Sequence, residues 1–327
     1  MDDPLLSVRD LVVEFPTRRG VLRAIDRVSF DIHPGEVLGV VGESGAGKTL
    51  IGVAIIGLLE PPGRIAGGEI FLGGKRIDNL DAEAMRRIRG KRIGKVFQDP
   101  LTSLNPLYKI SQQLCETIRT HLNISEQEAR KRAIALLDRV GIPAAAQRID
   151  DYPHHFSGGM RQRVVIALAL AAEPELVIAD EPTTALDVSV QAQIIDLLKE
   201  LCSERRTAVM LITHDMGVIA ETADRVAVLY AGRLVEAGPV GDIITAAEHP
   251  YTRGLMGSIP TLSQERARLV QIPGSMPRLN DIPPGCAFNP RCPQVFDRCL
   301  RERPEIVETG RGRQVCCWLY RRRGTAH

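Results

Sequence analysis

Eight consecutive residues, Gly42-Glu43-Ser44-Gly45-Ala46-Gly47-Lys48-Thr49, match the spacing G-x-x-x-x-G-K-S/T. That spacing suits a loop that holds phosphate. Gly42, Ser44, Gly45 and Gly47 line the loop, and its glycines let the backbone approach an anion with no Cβ in the way. Lys48 can reach the β- and γ-phosphates of a triphosphate, and the Thr49 hydroxyl is a ligand for Mg2+. The flanks agree. Val37–Val41 reads as a buried parallel strand, and Leu50–Leu59 as a buried helix whose positive end faces the anion.

Further chemistry sits at the ends of other apolar runs. Asp180 and Glu181 follow Leu176–Ala179. In phosphate-loop ATPases an aspartate at that place holds Mg2+, and a glutamate next to it can polarise an attacking water. Gln98 and His214 also end strands, and strand carboxyl ends line the ligand crevice of an open α/β sheet. A side-chain amide there can ligate Mg2+ or the water, and an imidazole can donate to a γ-phosphate oxygen. Ser157-Gly158-Gly159 opens a helix and forms a second anion site by the same logic. One nucleotide has no obvious use for two such loops, unless the second serves a nucleotide on another copy. Phe15 can stack on an adenine or sit in the core.

These residues need a scaffold, and the chain alternates accordingly. Strands are read at 5–15, 27–32, 93–97, 176–179, 207–213, 225–230 and 233–237, with a hairpin at 69–77 broken by Gly73-Gly74. Helices are read at 81–89, 111–141, 157–171 and 188–204, with Ser125-x-x-Glu128 as a capping box, Gly141 as a stop, and Pro61-Pro62-Gly63 ending the first helix. The pattern predicts an α/β fold with a mostly parallel sheet, interrupted by a helical subdomain.

Composition sets outer limits. The 327 residues are 44% hydrophobic and can bury a sizeable core. No apolar run approaches the roughly 18–20 residues of a spanning helix. Met1-Asp2-Asp3-Pro4 lacks a signal peptide's basic and apolar regions, so the chain is expected to stay in the cytoplasm. Residues 260–327 hold 12 Arg, no Lys and 6 acidic residues, a net of +6 within a chain of +2. Such an end suits nucleic acid, an anionic membrane surface, or simply solvent. Five of the seven cysteines lie after residue 285, and in the cytosol they argue for metal or chemistry over disulfides. Cys115 and Cys202 lie in helices and read as ordinary buried residues.

Taken in order, Gly42–Thr49, Gln98, Phe156-Ser157-Gly158-Gly159-Met160, Leu176–Glu181, Ala185-Leu186-Asp187 and His214 resemble the nucleotide-binding subunit of ABC transporters over roughly residues 5–250. The resemblance implies a phosphate-loop ABC ATPase core with an antiparallel β subdomain and a helical subdomain at about 105–172. It implies ATP held by Phe15, Gly42, Ser44, Gly45, Gly47, Lys48, Thr49, Ser157, Gly158, Gly159 and Asp187. Mg2+ would be held by Thr49, Gln98 and Asp180, and catalysis would rest on Glu181, His214 and Gln98. Ser157-Gly158-Gly159 looks like the signature that binds the partner's ATP in a head-to-tail dimer. Met160 departs from the commoner Gln there, with little consequence, since the serine and glycines contact the phosphate.

A narrower resemblance covers the rest. Gln98–Pro106, His249-Pro250-Tyr251-Thr252, Ile272-Pro273-Gly274 and the spacing of Cys286, Cys292 and Cys299 look like the dipeptide/oligopeptide permease ATPases. Glu181–Asp187 is more like the first, D-type, of that family's two paired ATPases. The implied partners are a second ATPase, two permease chains and an extracytoplasmic binding protein, with no nucleic acid. The implied place is the cytoplasmic face of the bacterial inner membrane. The implied function is an ATPase that powers ABC import of di- or oligopeptides, with a related importer for nickel, glutathione or another small solute as the alternative. A soluble ABC ATPase acting on nucleic acid or ribosomes, or a redox module built on the cysteines, are rival readings.

Residues 251–327 are expected to form a small cysteine-rich extension to a cassette of residues 1–250. Cys286, Cys292, Cys299 and either Cys316 or Cys317 supply four thiolates, though without the C-x2-C pairs of structural zinc. Four thiolates suit a 4Fe–4S cluster, which some relatives carry here, with Zn2+ as the alternative. In the family the last cysteine precedes His or an aromatic residue, which favours Cys317, next to Trp318.

Overall fold

Buried β-branched runs and glycine turns explain most of the elements. The chain opens with β1 (Leu6–Thr17) and β2 (Gly20–Ile32), then passes the His33–Glu36 turn, where Glu36 N–H donates to His33 O, into β3 (Val37–Val41). After the glycine loop come α1 (Lys48–Ile55), β4 (Arg64–Leu72) and β5 (Lys75–Arg76). The computed structural model describes residues 3–183, 187–257, 272–310 and 312–320, apart from the side chains of residues 188 and 189. It divides into two compact units, a sheet unit (Leu6–Asp31, Val37–Asp78, Ile212–His327) and a helical unit (Met1–Leu5, Ile32–Glu36, Asn79–Leu211).

In the sheet unit, the strands β2-β1-β4-β5 lie in that order, with β1 antiparallel to β4 from Leu6↔Leu72 to Glu14↔Arg64. Leu6, Val8, Leu11 and Val13 are buried on it. Gly73 (φ 56°) and Gly74 (φ 73°) both take left-handed backbone, as a tight hairpin turn between β4 and β5 requires. α1 is shorter than its apolar sequence suggests. Gly57 (φ 62°) stops it, with Gly57 N–H on Ala54 O and Leu58 N–H on Val53 O, a Schellman ending. The prolines at 61 and 62 come later.

The helical unit adds α2 (Ala82–Ile88), β6 (Ile93–Val96), α3 (Pro100–Ser103), α4 (Ile110–His121), α5 (Glu126–Arg139), α6 (Ala145–Arg148), α7 (Gly158–Leu170), β7 (Leu176–Asp180) and α8 (Val188–Ser203). β6 runs parallel to β7, from Ile93↔Leu176 to Val96↔Ala179. The helical block read at 111–141 is two helices, the second starting at the Ser125 cap read from the sequence. Leu122 N–H closes α4 on Ile118 O, and the Ser125 hydroxyl caps α5 by accepting from Glu128 N–H at 3.2 Å. Gly141 (φ 75°) follows the end of α5.

β8 (Ala208–Thr213) carries the chain back into the sheet unit, which continues with α9 (Met216–Thr222), β9 (Arg225–Tyr230), β10 (Arg233–Pro239), α10 (Val240–Ala246), α11 (Pro250–Met256), α12 (Asp297–Arg301), β11 (Val307–Gly310) and β12 (Arg313–Val315). Their strand order there is β11-β12-β10-β9-β3. β3 pairs parallel with β9, from Leu38↔Arg225 to Val41↔Val228, while β12 joins β10 antiparallel at Glu236↔Val315. Thus the last strands of the chain lengthen the sheet that carries the glycine loop. No helix among the described residues is long and apolar enough to cross a membrane.

Candidate nucleotide site

The glycine loop connects buried β3 to α1. A Cβ on Gly42 would lie 2.3 Å from Leu229 O, so no side chain fits there. Gly47 occupies the N-cap of α1 at φ 100°, where other residues are strained, and no side chain caps the helix. No acidic residue lies in the first turn, so nothing there opposes an anion. Lys48 is 5% exposed, and its ammonium donates to Gly42 O at 2.7 Å and Glu43 O at 3.2 Å. The loop therefore holds its own lysine across two carbonyls. Phe15 in the same unit is half-buried, with its ring edge 2.7 Å from where a Cβ on Gly63 would sit. His214 is exposed just after β8, and Asp215 beside it caps α9 through Gly217 and Val218 N–H.

In the helical unit, β7 ends on Asp180, which is 2% exposed. Glu181 follows at φ 45°, a left-handed conformation that is costly for a non-glycine residue. The Gln98 amide donates to Glu181 Oε2 at 2.8 Å, which brings these two residues together from separate strands. Lys95 was not singled out in the sequence. Its side chain is 5% exposed, and its ammonium lies 3.6 Å from Asp180 and 4.9 Å from the Phe97 ring centre. Burial pushes that ammonium below the usual lysine range, against the pull of Asp180. A lone lysine within the apolar run Ile93–Phe97 was the signal available for it.

Ser157 caps α7, accepting from Met160 N–H at 3.3 Å. Ser157 and Gly158 are exposed, and no acidic residue lies in the first turn of α7. Phe156 anchors the turn from below at 2% exposure, under the Arg148 guanidinium 4.3 Å from its ring centre. Arg148 also touches Met160 Sδ at 3.5 Å, so the unusual methionine is used in fixing the turn. Asp187 is exposed at the N-cap of α8, while Ala185, Leu186 and residues 258–271 of the extension lie outside the described residues.

A segment from late in the chain reaches the glycine loop. Tyr251 Oη accepts from Glu43 N–H at 2.9 Å, and Arg291 donates to the Glu43 carboxylate at 3.0 Å. Tyr251 is placed by His249, which caps α11 through Nδ1 and is itself anchored by its N–H on Glu236 Oε2. His249 is fully buried, and burial, with Arg253 adding, pushes its imidazole down to about 3. An unfolded histidine takes up a proton near 6.5, so the neutral folded ring stabilises the protein fully above that pH. As pH falls from 6.5 toward 3 the unfolded state gains a proton that the folded state refuses, at about 1.4 kcal/mol per pH unit. Acidification from about pH 6.5 to about 5 is expected to lower the urea midpoint, and His249→Asn, still a good cap, to flatten that slope. An unchanged slope in the variant contradicts the assignment.

The iron–sulfur expectation is overturned. Among the described residues no three His, Cys, Asp or Glu side chains converge to hold a metal ion, so neither a 4Fe–4S cluster nor Zn2+ is supported at Cys286, Cys292, Cys299 and Cys317. Other contacts explain why these cysteines sit where they do. Cys286 N–H donates to Cys299 O, and Cys316 Sγ, buried, donates to Pro304 O at 3.2 Å. Burial pushes the Cys286 thiol up to about 12 and Cys316 up to about 11, and it raises Cys292 and Cys317 as well. Cys202 is buried as expected, whereas Cys115 is only half-buried.

A glycine loop on a strand–helix junction, an acidic pair ending a buried strand and a serine–glycine helix start define an ABC-type ATPase. Residues 25–184 match the family model described as ABC transporter. A dimeric ATP-binding cassette in a post-hydrolysis state bound to ADP and Pi is similar at a TM-score of 0.65 and 28% identity, over 72% of this chain and 98% of that one. The family within that class follows from the rest of the chain. Residues 235–299 match the C-terminal region of oligopeptide/dipeptide transporters. The chain is 46% identical over 313 residues to the dipeptide transport ATP-binding protein DppD of Escherichia coli (strain K12), covering 96% of each. It is 45% identical over 321 residues to the oligopeptide transport ATP-binding protein AppD of Bacillus subtilis (strain 168), covering 98% of each. It belongs to the ATP-binding subunits of the oligopeptide/dipeptide ABC transporter family.

Proposed function

We propose that this ATPase powers the import of di- or oligopeptides, as the D-type member of a pair of unlike ATPase subunits. It would sit peripherally on the cytoplasmic face of the cell membrane, beneath two permease chains fed by an extracytoplasmic binding protein. Residues 1–250 form the cassette in this reading, and 251–327 the family's extension. Lys48 and the loop N–H groups hold the triphosphate. Phe15 stacks on the base. The Thr49 hydroxyl, Gln98 amide oxygen and Asp180 carboxylate are hard oxygen donors that suit Mg2+, which neutralises charge on the phosphates. Glu181 orients and polarises the water, and His214 donates to the γ-phosphate. Ser157, Gly158, Gly159 and Asp187 act on the nucleotide of the partner subunit.

The observation that carries the coupling is the surface around and after Gln98. Phe97, Leu101, Leu107 and Tyr108 are 43, 63, 81 and 51% exposed, a cluster of large apolar side chains in one short stretch. Exposed apolar clusters mark docking sites. Gln98, bonded to Glu181, leads directly into it. A docked permease helix would thereby feel the state of the water-activating carboxylate.

Leu101→Glu with Leu107→Glu is expected to keep ATP affinity within about twofold, because surface changes away from the site cost little. Co-purification with the permeases and stimulation of ATPase by peptide-loaded binding protein are expected to disappear. Normal assembly and stimulation would contradict the docking reading.

A further inference from the structure

We propose that Arg291 and Tyr251 are positioning residues of the phosphate loop, through which the C-terminal segment sets how tightly the loop grips ATP. The inference rests on the reading of Gly42–Thr49 as the site of the nucleotide's phosphates.

Glu43 is held at both of its polar ends by this segment. Its N–H donates to Tyr251 Oη at 2.9 Å, and its carboxylate accepts from Arg291 at 3.0 Å. The Arg291 side chain is 5% exposed, and three more of its N–H groups donate to Pro273 O at 2.9 Å, Ile272 O at 3.3 Å and the Tyr230 hydroxyl at 3.4 Å. A guanidinium fork meets that set of acceptors, whereas a lysine cannot. Tyr251 is fully buried in a cluster with Tyr230 and Phe288, at ring-centre distances of 4.7 and 5.4 Å. Met276 adds a third contact, its methyl 3.1 Å from where a Cβ on Gly45 would sit.

Two consequences follow for the loop. Glu43 O is one of the two carbonyls that hold the Lys48 ammonium, so fixing Glu43 fixes an anchor of the phosphate-binding lysine. Glu43 also places a carboxylate inside a loop that must accept a polyanion. Arg291 neutralises it. Without Arg291 that charge, on a side chain only partly exposed, is left uncompensated in the loop, and removing one partner of such a pair is worse than removing both.

The test is the equilibrium dissociation constant of MgATP for the full chain. Arg291→Met is expected to weaken binding about tenfold, the size of one lost charge-assisted hydrogen bond. The double variant Arg291→Met with Glu43→Gln is expected to return within about threefold of wild type, because the orphaned charge is gone. Tyr251→Phe keeps the ring packing, removes the acceptor for Glu43 N–H, and is expected to weaken binding several-fold. Wild-type affinity in both single variants overturns the proposal. Weakening by Arg291→Met that Glu43→Gln does not relieve also overturns it, since the arginine would then act only by folding the tail. Lys48→Ala separates the underlying site from this inference. If that variant binds ATP normally the phosphate-loop reading itself fails, and if only the Arg291 and Tyr251 variants bind normally the loop reading stands alone.

Discussion

Glu181→Gln is expected to bind ATP normally and to cut turnover of the assembled transporter by at least ~100-fold, within the range for loss of a general base. The amide keeps the size of the carboxylate and can still accept the 2.8 Å hydrogen bond from Gln98, so local geometry should survive. What is lost is the anionic oxygen that polarises water. The left-handed backbone at Glu181 (φ 45°) fixes where that oxygen points, and the amide inherits the same position. With binding intact and hydrolysis blocked, the two ATPases should accumulate as a closed, ATP-bound dimer visible by size exclusion and cross-linking. Near-normal turnover with no trapped dimer would remove Glu181 from its role.

The second large effect is expected across the subunit interface. Ser157→Arg should abolish hydrolysis at the phosphate loop of the partner ATPase while this chain's own loop keeps its ATP affinity. Ser157 and Gly158 are exposed at the start of a 13-residue helix with no acid in its first turn, which favours an external anion. An arginine there removes the cap on Met160 N–H, about 1 kcal/mol of local stability, and fills the space a γ-phosphate would occupy. Labelled ATP cross-linked to each subunit separates the outcomes. Loss of label only from this chain's own loop would contradict head-to-tail pairing.

The phosphate loop was legible because its chemistry is local. Eight adjacent residues carry the glycines, lysine and threonine, and the flanking apolar runs specify strand and helix. Asp180 and Glu181 were legible for the same reason, at the end of a short buried run. Contacts between distant residues were not. Nothing in sequence links Gln98 to Glu181, Lys95 to Asp180, or Glu43 to Tyr251 and Arg291, because each pair is made by strand order or by a late segment of chain. Helix ends were partly legible. Ser125 and Gly141 act as read, whereas Gly57 stops α1 ahead of the prolines that drew attention. The cysteines misled because clustering in sequence does not by itself make a metal-holding set. Cys299 and Cys316 are buried and Cys286, Cys292 and Cys317 half-buried, and among the described residues no three ligating groups meet.

The central claim is that ATP hydrolysis at this site drives peptide inward, and one measurement addresses it directly. The chain, its partner ATPase and both permeases are reconstituted in vesicles with the cytoplasmic side accessible, and the binding protein is enclosed with a labelled dipeptide. Release of label to the cytoplasmic side should require MgATP and should vanish with Lys48→Ala, while buffer lacking ATP gives only leakage. Dipeptide movement that is unaffected by Lys48→Ala, or robust ATPase activity that never moves a peptide whatever its length, would contradict the account.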